Sequence, residues 1–220
     1  MPVVDSSCPC PLCGYGRGSH FHRDRRREYL RCPVCALVYV PPAWHLDAAA
    51  EKAVYDLHEN SPDDPGYRRF LSRLATPLLA QLGGRSALGL DFGCGPGPAL
   101  VQMLREAGHT VSVYDPYYFP DPAVLAVDYD FITATEVVEH LAAPGVELAR
   151  LWKLLHPGGV LGVMTKLVID QQAFARWHYT SDATHICFFS QQSWRWWALK
   201  VGAELEQVAA DAVLLRKPHS

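Results

Sequence analysis

The segment from Leu88 to Gly97, with the sequence LGLDFGCGPG, constrains the fold of this chain more than any other stretch. Its first residues are mostly apolar and predict a buried parallel strand that ends at Asp91. The alternating glycines that follow allow a tight turn and let the backbone approach a ligand where a Cβ atom would collide. Pro98 can begin a helix, since the first helical position needs no N–H donor. The segment therefore predicts a strand, a ligand-binding turn and a helix.

A second acidic residue follows the next predicted strand. Residues Thr110 to Tyr114 alternate in polarity and predict a strand that ends at Asp115. An acid at the carboxyl edge of a parallel sheet can accept hydrogen bonds from both hydroxyls of a ribose. The spacing from Asp91 to Asp115 fits one strand-helix-strand unit. The order D-x-G-x-G-x-G differs from the dinucleotide fingerprint G-x-G-x-x-G and resembles the first motif of class I S-adenosylmethionine-dependent methyltransferases.

This resemblance extends from Leu82 to Arg216 and implies an α/β, Rossmann-like sheet with S-adenosylmethionine as cofactor. It places the further strands and the crossover helix at residues 130–135, 146–155, 159–164, 203–209 and 211–216. The residues expected to bind the cofactor are Asp91, Gly93, Cys94, Gly95, Gly97, Asp115 and Pro116.

One part of the family's sheet is too short in this sequence. Only fourteen residues separate Asp115 from Asp130, which is too few for a crossover helix and a normal third strand. We therefore expect a contracted third strand, at Ala123 to Leu125. No residue can be assigned to the acid that usually contacts adenine after that strand, and we expect Tyr117 or Tyr118 to close the pocket instead.

Two C-x-x-C motifs in the first 45 residues predict a zinc ribbon. Cys10 and Cys13 form the first pair, Cys32 and Cys35 the second, and eighteen residues separate the pairs. Four thiolates at this spacing can close a tetrahedral zinc site. Residues 21–31 would supply the hairpin between the pairs and residues 36–40 the strand that leaves the second pair, with Cys8 as a spare thiol. A pair of redox-active C-x-x-C motifs is the alternative.

Composition favours a protein of the cytosol. The 220 residues carry a formal net charge of -3 and are 49% hydrophobic, without an apolar run of membrane-spanning length. The N-terminal sequence MPVVD lacks the basic and apolar regions of an export signal, so we expect a cytoplasmic location and no membrane partner. In that compartment seven cysteines indicate metal rather than disulfides.

The segment between the cysteine pairs is basic. It contains Arg17, Arg23, Arg25, Arg26, Arg27 and Arg31. Interleaved with Phe21 and Tyr29, these arginines form a possible nucleic-acid surface, whereas a solvated charged face is the commoner outcome. The negative net charge of the whole chain argues against nucleic acid.

Residues 46–84 predict a helical cap between the ribbon and a methyltransferase domain at 85–220. Helices are expected from Leu46 to Asn60 and from Tyr67 to Leu82, separated by a break at residues 61–66. Tyr55, His58 and Tyr67 are candidates for a substrate pocket, although aromatic residues on such helices more often belong to the core.

The sequence EVVEH at residues 136–140 follows the strand beside which the reactive methyl group should lie. If it is helical, Glu136, Glu139 and His140 share one face and could bind a divalent ion. The string resembles the small-RNA 3′-terminal 2′-O-methyltransferases, in which two glutamates and two histidines hold a metal, and ubiquinone-biosynthesis O-methyltransferases. His185 is then the candidate for the distal histidine. The alternatives are a metal-free general base at His140 or His185, and purely local bonding of these side chains.

The C-terminal part completes the predicted domain. Residues 177–190 follow the fifth strand and are expected to cover the active site. Ser190 predicts the N-cap of a helix over Gln191–Lys200, in which Trp194 and Trp197 form a packing stripe.

These patterns together predict a methyltransferase acting on the oxygen of a small hydroxylated metabolite. A hydroxyl nucleophile must lose a proton, which explains the use of a metal or a base. The alternatives are an RNA or protein methyltransferase that binds its substrate through the ribbon, and a non-catalytic protein that binds S-adenosylmethionine.

Overall fold

The computed structural model describes residues 8–57 and 61–219, which form two β-sheets and the helices that pack on them. The first half contains β1 (Ser19–Arg23), β2 (Glu28–Arg31), β3 (Val38–Tyr39), α1 (Ala48–Tyr55), α2 (Pro65–Leu82), β4 (Leu88–Phe92), α3 (Ala99–Glu106) and β5 (Thr110–Tyr114). The second half contains β6 (Tyr129–Thr135), α4 (Pro144–Lys153), β7 (Leu155–Met164), α5 (Gln171–Phe174), β8 (Cys187–Phe188), α6 (Gln191–Val201), β9 (Glu204–Ala209) and β10 (Ala212–Arg216).

The central sheet has the strand order β5-β4-β6-β7-β10-β9. Strands β5, β4, β6 and β7 are parallel, whereas β10 pairs antiparallel with both β7 and β9. Side chains of α2 and α3 bury one face of the sheet, and those of α4 and α6 bury the other. Neighbouring residues of β6 divide between these faces, because Phe131 packs with α2 and α3 while Ile132 packs with the opposite core. The predicted α/β, Rossmann-like fold is confirmed.

The connection between β5 and β6 contains no third strand in the described structure. The predicted strand at Ala123–Leu125 is wrong: residues Pro122–Ala126 form a 3-10 turn instead. The carboxylate of Asp121 accepts a hydrogen bond from the backbone N–H of Ala123, and Tyr129 Oη donates to the Val124 carbonyl at 2.7 Å. These local bonds use groups that a strand would need for pairing, so β5 remains the edge of the sheet.

Other predicted elements agree with the structure or differ at their ends. The Ser190 side chain accepts the N–H of Ser193 as the N-cap of α6, as predicted. Trp194 and Trp197 are 1% exposed, which confirms their packing role. Strand β7 begins at Leu155, four residues before the predicted start, because Leu155 pairs with Tyr129 of β6.

The cysteine-containing N-terminal segment forms a second sheet with the order β1-β2-β3-β8. The predicted hairpin is present as β1 and β2, and the Asp24 carboxylate accepts the N–H groups of Arg26 and Arg27 at their turn. The fourth strand, β8, comes from the segment that was predicted to cover the active site, and it pairs with β3. Buried side chains of this sheet and of the central sheet belong to one continuous hydrophobic cluster.

Helices α1 and α2 connect β3 to β4 in the sequence. Asp47 caps α1 through the N–H of Ala50, and α2 begins at Pro65 and ends at Gly83 in the left-handed conformation. Helix α1 is shorter than predicted, because it ends at Tyr55 and residues 56–57 form a turn, whereas residues 58–60, which include His58, lie outside the described residues. No helix in the described part of the chain has the length and apolarity to cross a membrane.

Candidate active site

A cavity of about 850 Å³ opens at the carboxyl ends of β4, β5 and β6. Its volume is in the range of sites that hold a cofactor together with a small second ligand. Of the sequence-predicted site residues, those that line it are Gly93, Cys94, Gly95, Asp115, Pro116, Glu136, His140 and His185. Asp91, Gly97 and Glu139 lie outside this lining. Tyr55 and Tyr67 also line the cavity, as expected for pocket residues.

The turn after β4 needs glycine for two separate reasons. Gly93 and Gly95 have φ values of +73° and +64°, which is the left-handed region. A Cβ atom on Gly93 would also lie 2.5 Å from Cγ2 of Val137, in the loop after β6. The backbone of this turn therefore lies directly against the loop that carries Glu136.

We expect Gly93→Ala to weaken the binding of S-adenosylhomocysteine by about tenfold or more, because both the strained φ and the collision with Val137 displace the turn. Gly83→Ala is the matched control, since Gly83 has φ +67° with nothing within 4 Å of the added Cβ. Calorimetric titration measures both affinities. Equal affinity in the two variants would show that the turn does not hold the cofactor.

Asp115 organises the backbone at the same edge of the sheet. Its carboxylate accepts hydrogen bonds from the N–H groups of Gly95 at 3.0 Å, Tyr117 at 2.8 Å and Tyr118 at 3.1 Å. A carboxylate has about four acceptor positions, so capacity remains for a hydroxyl of a ligand.

Asp91 lies in β4, just before the turn, and is 2% exposed. Its Oδ1 accepts a hydrogen bond from Thr133 Oγ1 at 2.6 Å. Burial raises the pKa of this carboxyl to about 7, and the charge of Asp115 contributes in the same direction.

This shift predicts a specific pH dependence of stability. The folded state binds the Asp91 proton more tightly than the unfolded state does, so this group lowers the unfolding free energy as pH rises from about 4 to about 7. Asp91→Asn keeps an acceptor for Thr133 and removes the ionisation, so the variant should gain stability relative to the wild type across this range.

Urea unfolding of ligand-free protein at about pH 5 and about pH 8 measures the effect. The exposed Asp128→Asn serves as the control. The same pH dependence in wild type and Asp91→Asn would contradict the assignment.

Helix α1 covers the cavity through polar contacts. Tyr117 Oη donates to Glu51 at 2.7 Å and Tyr118 Oη donates to Asp56 at 2.7 Å. The ring of Tyr55 meets the His140 ring edge-on, with centroids 5.2 Å apart. The two tyrosines proposed to close the pocket thus connect the edge of the sheet to α1.

The segment after β6 is a turn and not a helix, so the expected helical face of Glu136, Glu139 and His140 is wrong. Glu136 has φ +52°, and the N–H of His140 donates to the Val137 carbonyl at 3.0 Å. A residue in the left-handed region interrupts helical progression.

Four residues were predicted to lie beside the reactive methyl group, and three of them nevertheless converge. Glu139, His140 and His185 each offer a ligand atom, and these atoms lie within 4.8 Å of one another. Glu136 is not in this group within the described residues. Glu136 and Glu139 instead share Tyr179, whose Oη donates to Glu139 Oε1 and lies 3.4 Å from Glu136 Oε2.

The two histidines are held by backbone carbonyls. Nδ1 of His140 is 3.2 Å from the Thr184 carbonyl, and Nδ1 of His185 is 2.8 Å from the Tyr179 carbonyl. Each contact assigns the proton to Nδ1, which places the lone pair on Nε2. Burial lowers the pKa of His185, which favours the neutral form that binds metals.

Glu139 is fully buried and Glu136 partly buried, and hydrogen bonds do not fully compensate either carboxyl group. Glu139 is 0% exposed, and its Oε2 has no hydrogen-bond partner among the described residues; the same holds for Oε1 of Glu136. Burial raises the pKa of Glu139 to about 8, with the charge of Glu136 contributing, and raises that of Glu136 to about 7. A cation would offset the cost of charging them.

The four cysteines of the second sheet also converge. Sγ of Cys10 lies 3.4 Å from Sγ of Cys35, and Sγ of Cys13 lies 3.4 Å from Sγ of Cys32. All four sulfurs lie within 4.8 Å of one another. A tetrahedral zinc with Zn–S bonds of about 2.3 Å separates its sulfurs by about 3.8 Å, so the residues fit this ion.

Two residues of the site, Tyr179 and Arg150, have no pattern in the sequence that predicts their place there. Tyr179 lies in the predicted cover, but only its position between Glu136 and Glu139 reveals its role. Arg150 of α4 also lines the cavity, and its guanidinium lies 5.7 Å from the ring centroid of Phe92. Both depend on contacts between distant parts of the chain.

Comparisons with known proteins identify the family of this fold. A family model described as a methyltransferase domain matches residues 67–208, more than half of the chain. No curated protein matches the sequence significantly.

Among solved structures, the fold is similar to that of an O-methyltransferase family protein from Burkholderia thailandensis, with TM-score 0.51, 16% identity and coverage of 81% of this chain and 62% of that one. This chain therefore spans less than two thirds of that protein. The fold is also similar to magnesium protoporphyrin IX methyltransferase from Synechocystis with bound S-adenosylmethionine, with TM-score 0.50, 11% identity and coverage of 79% and 93%. At these identities the structural likeness shows the fold alone. By the family match, the chain belongs to the methyltransferase-domain family.

Proposed function

We propose that this enzyme methylates a hydroxyl group of a small metabolite, beside a divalent-ion site formed by Glu139, His140 and His185. The observation that carries the proposal is the convergence of these three side chains: His140 and His185 line the cavity, and the fully buried Glu139 meets them from outside its lining. One carboxylate and two imidazoles are a common ligand set for divalent transition metals, and they leave positions open for a substrate oxygen. A cytosolic location remains part of this proposal.

The cofactor is proposed to bind along the turn after β4 and the residues after β5. Its sulfonium supplies an activated methyl group, so the protein mainly has to position the two reactants and exclude water. We assign this binding to Asp91, Gly93, Cys94, Gly95, Gly97, Asp115 and Pro116. Asp115 supports the assignment because its carboxylate keeps acceptor capacity beside the glycine turn. Asp91, outside the cavity lining, would act indirectly, because its bond to Thr133 of β6 fixes the end of β4 from which the turn starts.

The substrate that accepts the methyl group is proposed to bind between the turn after β6 and the segment before β8. A divalent ion bound here would lower the pKa of an acceptor hydroxyl. The chain contributes the ligands, and the Thr184 and Tyr179 carbonyls fix the orientation of the two imidazoles. Tyr179 holds Glu139 by its hydroxyl, and helix α1 shields the cavity from solvent.

A metal-free base at His140 or His185 is the second candidate mechanism. The 3.8 Å distance between His185 Nε2 and Asp182 Oδ2 favours it, because this carboxylate can stabilise a protonated imidazole. Oε2 of Glu139, which is buried and has no hydrogen-bond partner in the described part of the chain, favours the metal.

A small substrate is favoured over RNA or protein. The magnesium protoporphyrin IX methyltransferase of similar fold is named for a small-molecule substrate. In addition, side chains of α1 line the cavity and cover part of its opening. The predicted nucleic-acid surface is weakened because Arg26 and Arg27 bind backbone carbonyls of this same chain. We also propose that Cys10, Cys13, Cys32 and Cys35 hold a structural zinc.

Incubation with methyl-labelled S-adenosylmethionine and fractionated cell extract tests the substrate class. Label is expected in the small-molecule fraction. Chelation that leaves the cysteine-bound zinc in place should stop the transfer, and magnesium, manganese or cobalt should restore it. Label confined to RNA or protein would overturn the metabolite proposal, and transfer insensitive to chelation would favour His140 or His185 as the base.

A further inference from the structure

We infer that Arg27 positions the substrate side of the active site, so that the cysteine-containing sheet acts as a brace for the segment 178–186. These residues, which include Tyr179 and His185, form the active-site segment. Its place at the active site rests on the proposed function, whereas the brace itself rests on contacts that the structure contains.

Arg27 holds the active-site segment through its backbone. Its guanidinium donates to the carbonyls of Thr180 at 3.0 Å, Asp182 at 2.8 Å and Ala183 at 2.9 Å. Nε donates to Tyr29 Oη at 2.9 Å, and the residue is only 5% exposed. A guanidinium has five N–H groups in a rigid fork, which suits several carbonyls at fixed positions better than the single ammonium of lysine does.

The neighbouring arginine adds to this arrangement from the surface. Arg26 donates to the carbonyls of Ser181 at 2.8 Å and Thr180 at 3.2 Å. Both arginines leave the same turn between β1 and β2, which Asp24 closes by accepting their backbone N–H groups.

Contacts on both sides of the active-site segment reach the same sheet. Before it, Phe174 packs edge-on against Phe21 and Tyr29, with ring centroids 5.2 Å and 5.0 Å apart. After it, β8 pairs with β3. The segment is therefore attached to the cysteine-containing sheet at its beginning, middle and end.

The held carbonyls are connected to the proposed ligands. The Tyr179 carbonyl accepts from His185, and the Thr184 carbonyl accepts from His140. Arg27 binds the carbonyls of the residues between these two, so its loss should allow both imidazoles to reorient. Arg27 is thus a positioning residue that acts through the backbone of the segment.

Hydrogen–deuterium exchange of the zinc-loaded, full-length protein tests this inference without knowledge of the substrate. In Arg27→Ala, amides of residues 180–187 should exchange at least about tenfold faster than in the wild type, since several charge-assisted hydrogen bonds are lost. Guanidinium ion at millimolar concentration should restore part of the protection by filling the vacated site, whereas Arg27→Lys should restore little.

Two further arginine variants of the same turn accompany Arg27→Ala, one as a control and one as a milder change. Arg25→Gln changes an exposed arginine of the same turn, which has no side-chain partner among the described residues, and should leave exchange unchanged. Arg26→Gln removes only the surface bonds and should give a smaller acceleration confined to residues 180–183, which remains measurable if Arg27→Ala does not fold.

Affinity for S-adenosylhomocysteine, measured on the same samples, should change little, because Arg27 contacts the segment and not the turn after β4. Wild-type exchange in both Arg26→Gln and Arg27→Ala would overturn the brace. A different result separates the two proposals. If the wild-type protein transfers no methyl group in the labelled-cofactor assay, but amide exchange in Arg27→Ala is accelerated, the proposed function is refuted and the brace remains supported.

Discussion

Glu139→Gln should lower the initial rate of methyl transfer by about 10²-fold or more, while the affinity for S-adenosylhomocysteine stays close to that of the wild type. The amide has the shape of the carboxyl group and can still accept the hydrogen bond from Tyr179. It cannot supply the negative oxygen that the converging group with His140 and His185 offers to a divalent ion. The rate is measured with methyl-labelled cofactor and the small-molecule fraction, and affinity by calorimetry.

Glu136→Gln provides the closest comparison for this experiment. Glu136 is a partly buried carboxyl that contacts the same Tyr179, but it lies outside the converging group in the described structure. The metal proposal therefore expects a smaller loss of rate in Glu136→Gln and a loss of weakly bound metal only in Glu139→Gln. Equal rates in Glu139→Gln and the wild type would remove Glu139 from the mechanism.

Cys32→Ser should remove zinc from the protein and lower its melting temperature by about 10 °C or more. Sulfur-coordinated zinc contributes about 10–16 kcal/mol in small zinc-binding peptides, which is as large as the whole stability of a typical domain. Cys32 directly follows β2, so loss of the metal should release the strand that leads from Arg27. Metal analysis and thermal unfolding measure the two effects.

Cys8→Ser is the matched control for the zinc prediction, because Cys8 lies outside the four-cysteine group. It should retain about one zinc ion per chain and a melting temperature close to the wild-type value. Full zinc content in Cys32→Ser, or equal loss in Cys8→Ser, would refute the proposed ligand set.

The parts of the fold that the sequence predicted depend on local patterns. The run from Leu88 to Gly97 predicted β4 and its turn because apolar residues, glycines and Pro98 act within a few positions of each other. The two cysteine pairs predicted their own convergence because four thiols at this spacing have few other arrangements.

The parts that the sequence could not predict depend on contacts between distant residues. Residues 136–140 satisfy a helical pattern, yet Glu136 adopts a positive φ where its N–H donates to the Met164 carbonyl of β7. The pairing of β8 with β3 joins residues that are about 150 positions apart, and no periodicity in either segment indicates it. Arg27 was counted as part of a charged surface for the same reason, since its three carbonyl partners lie in the active-site segment.

The atom that receives the methyl group decides whether this protein is an O-methyltransferase. Purified enzyme, supplied with ¹³C-methyl S-adenosylmethionine and the small-molecule fraction, gives a product whose ¹³C chemical shift distinguishes a methyl group on oxygen from one on nitrogen, sulfur or carbon. In the proposed function the converging Glu139, His140 and His185 activate a hydroxyl, so we expect an O-methyl resonance that is lost in Glu139→Gln. A methyl group on nitrogen, sulfur or carbon, or an O-methyl product formed at the wild-type rate by Glu139→Gln, would contradict the proposed function.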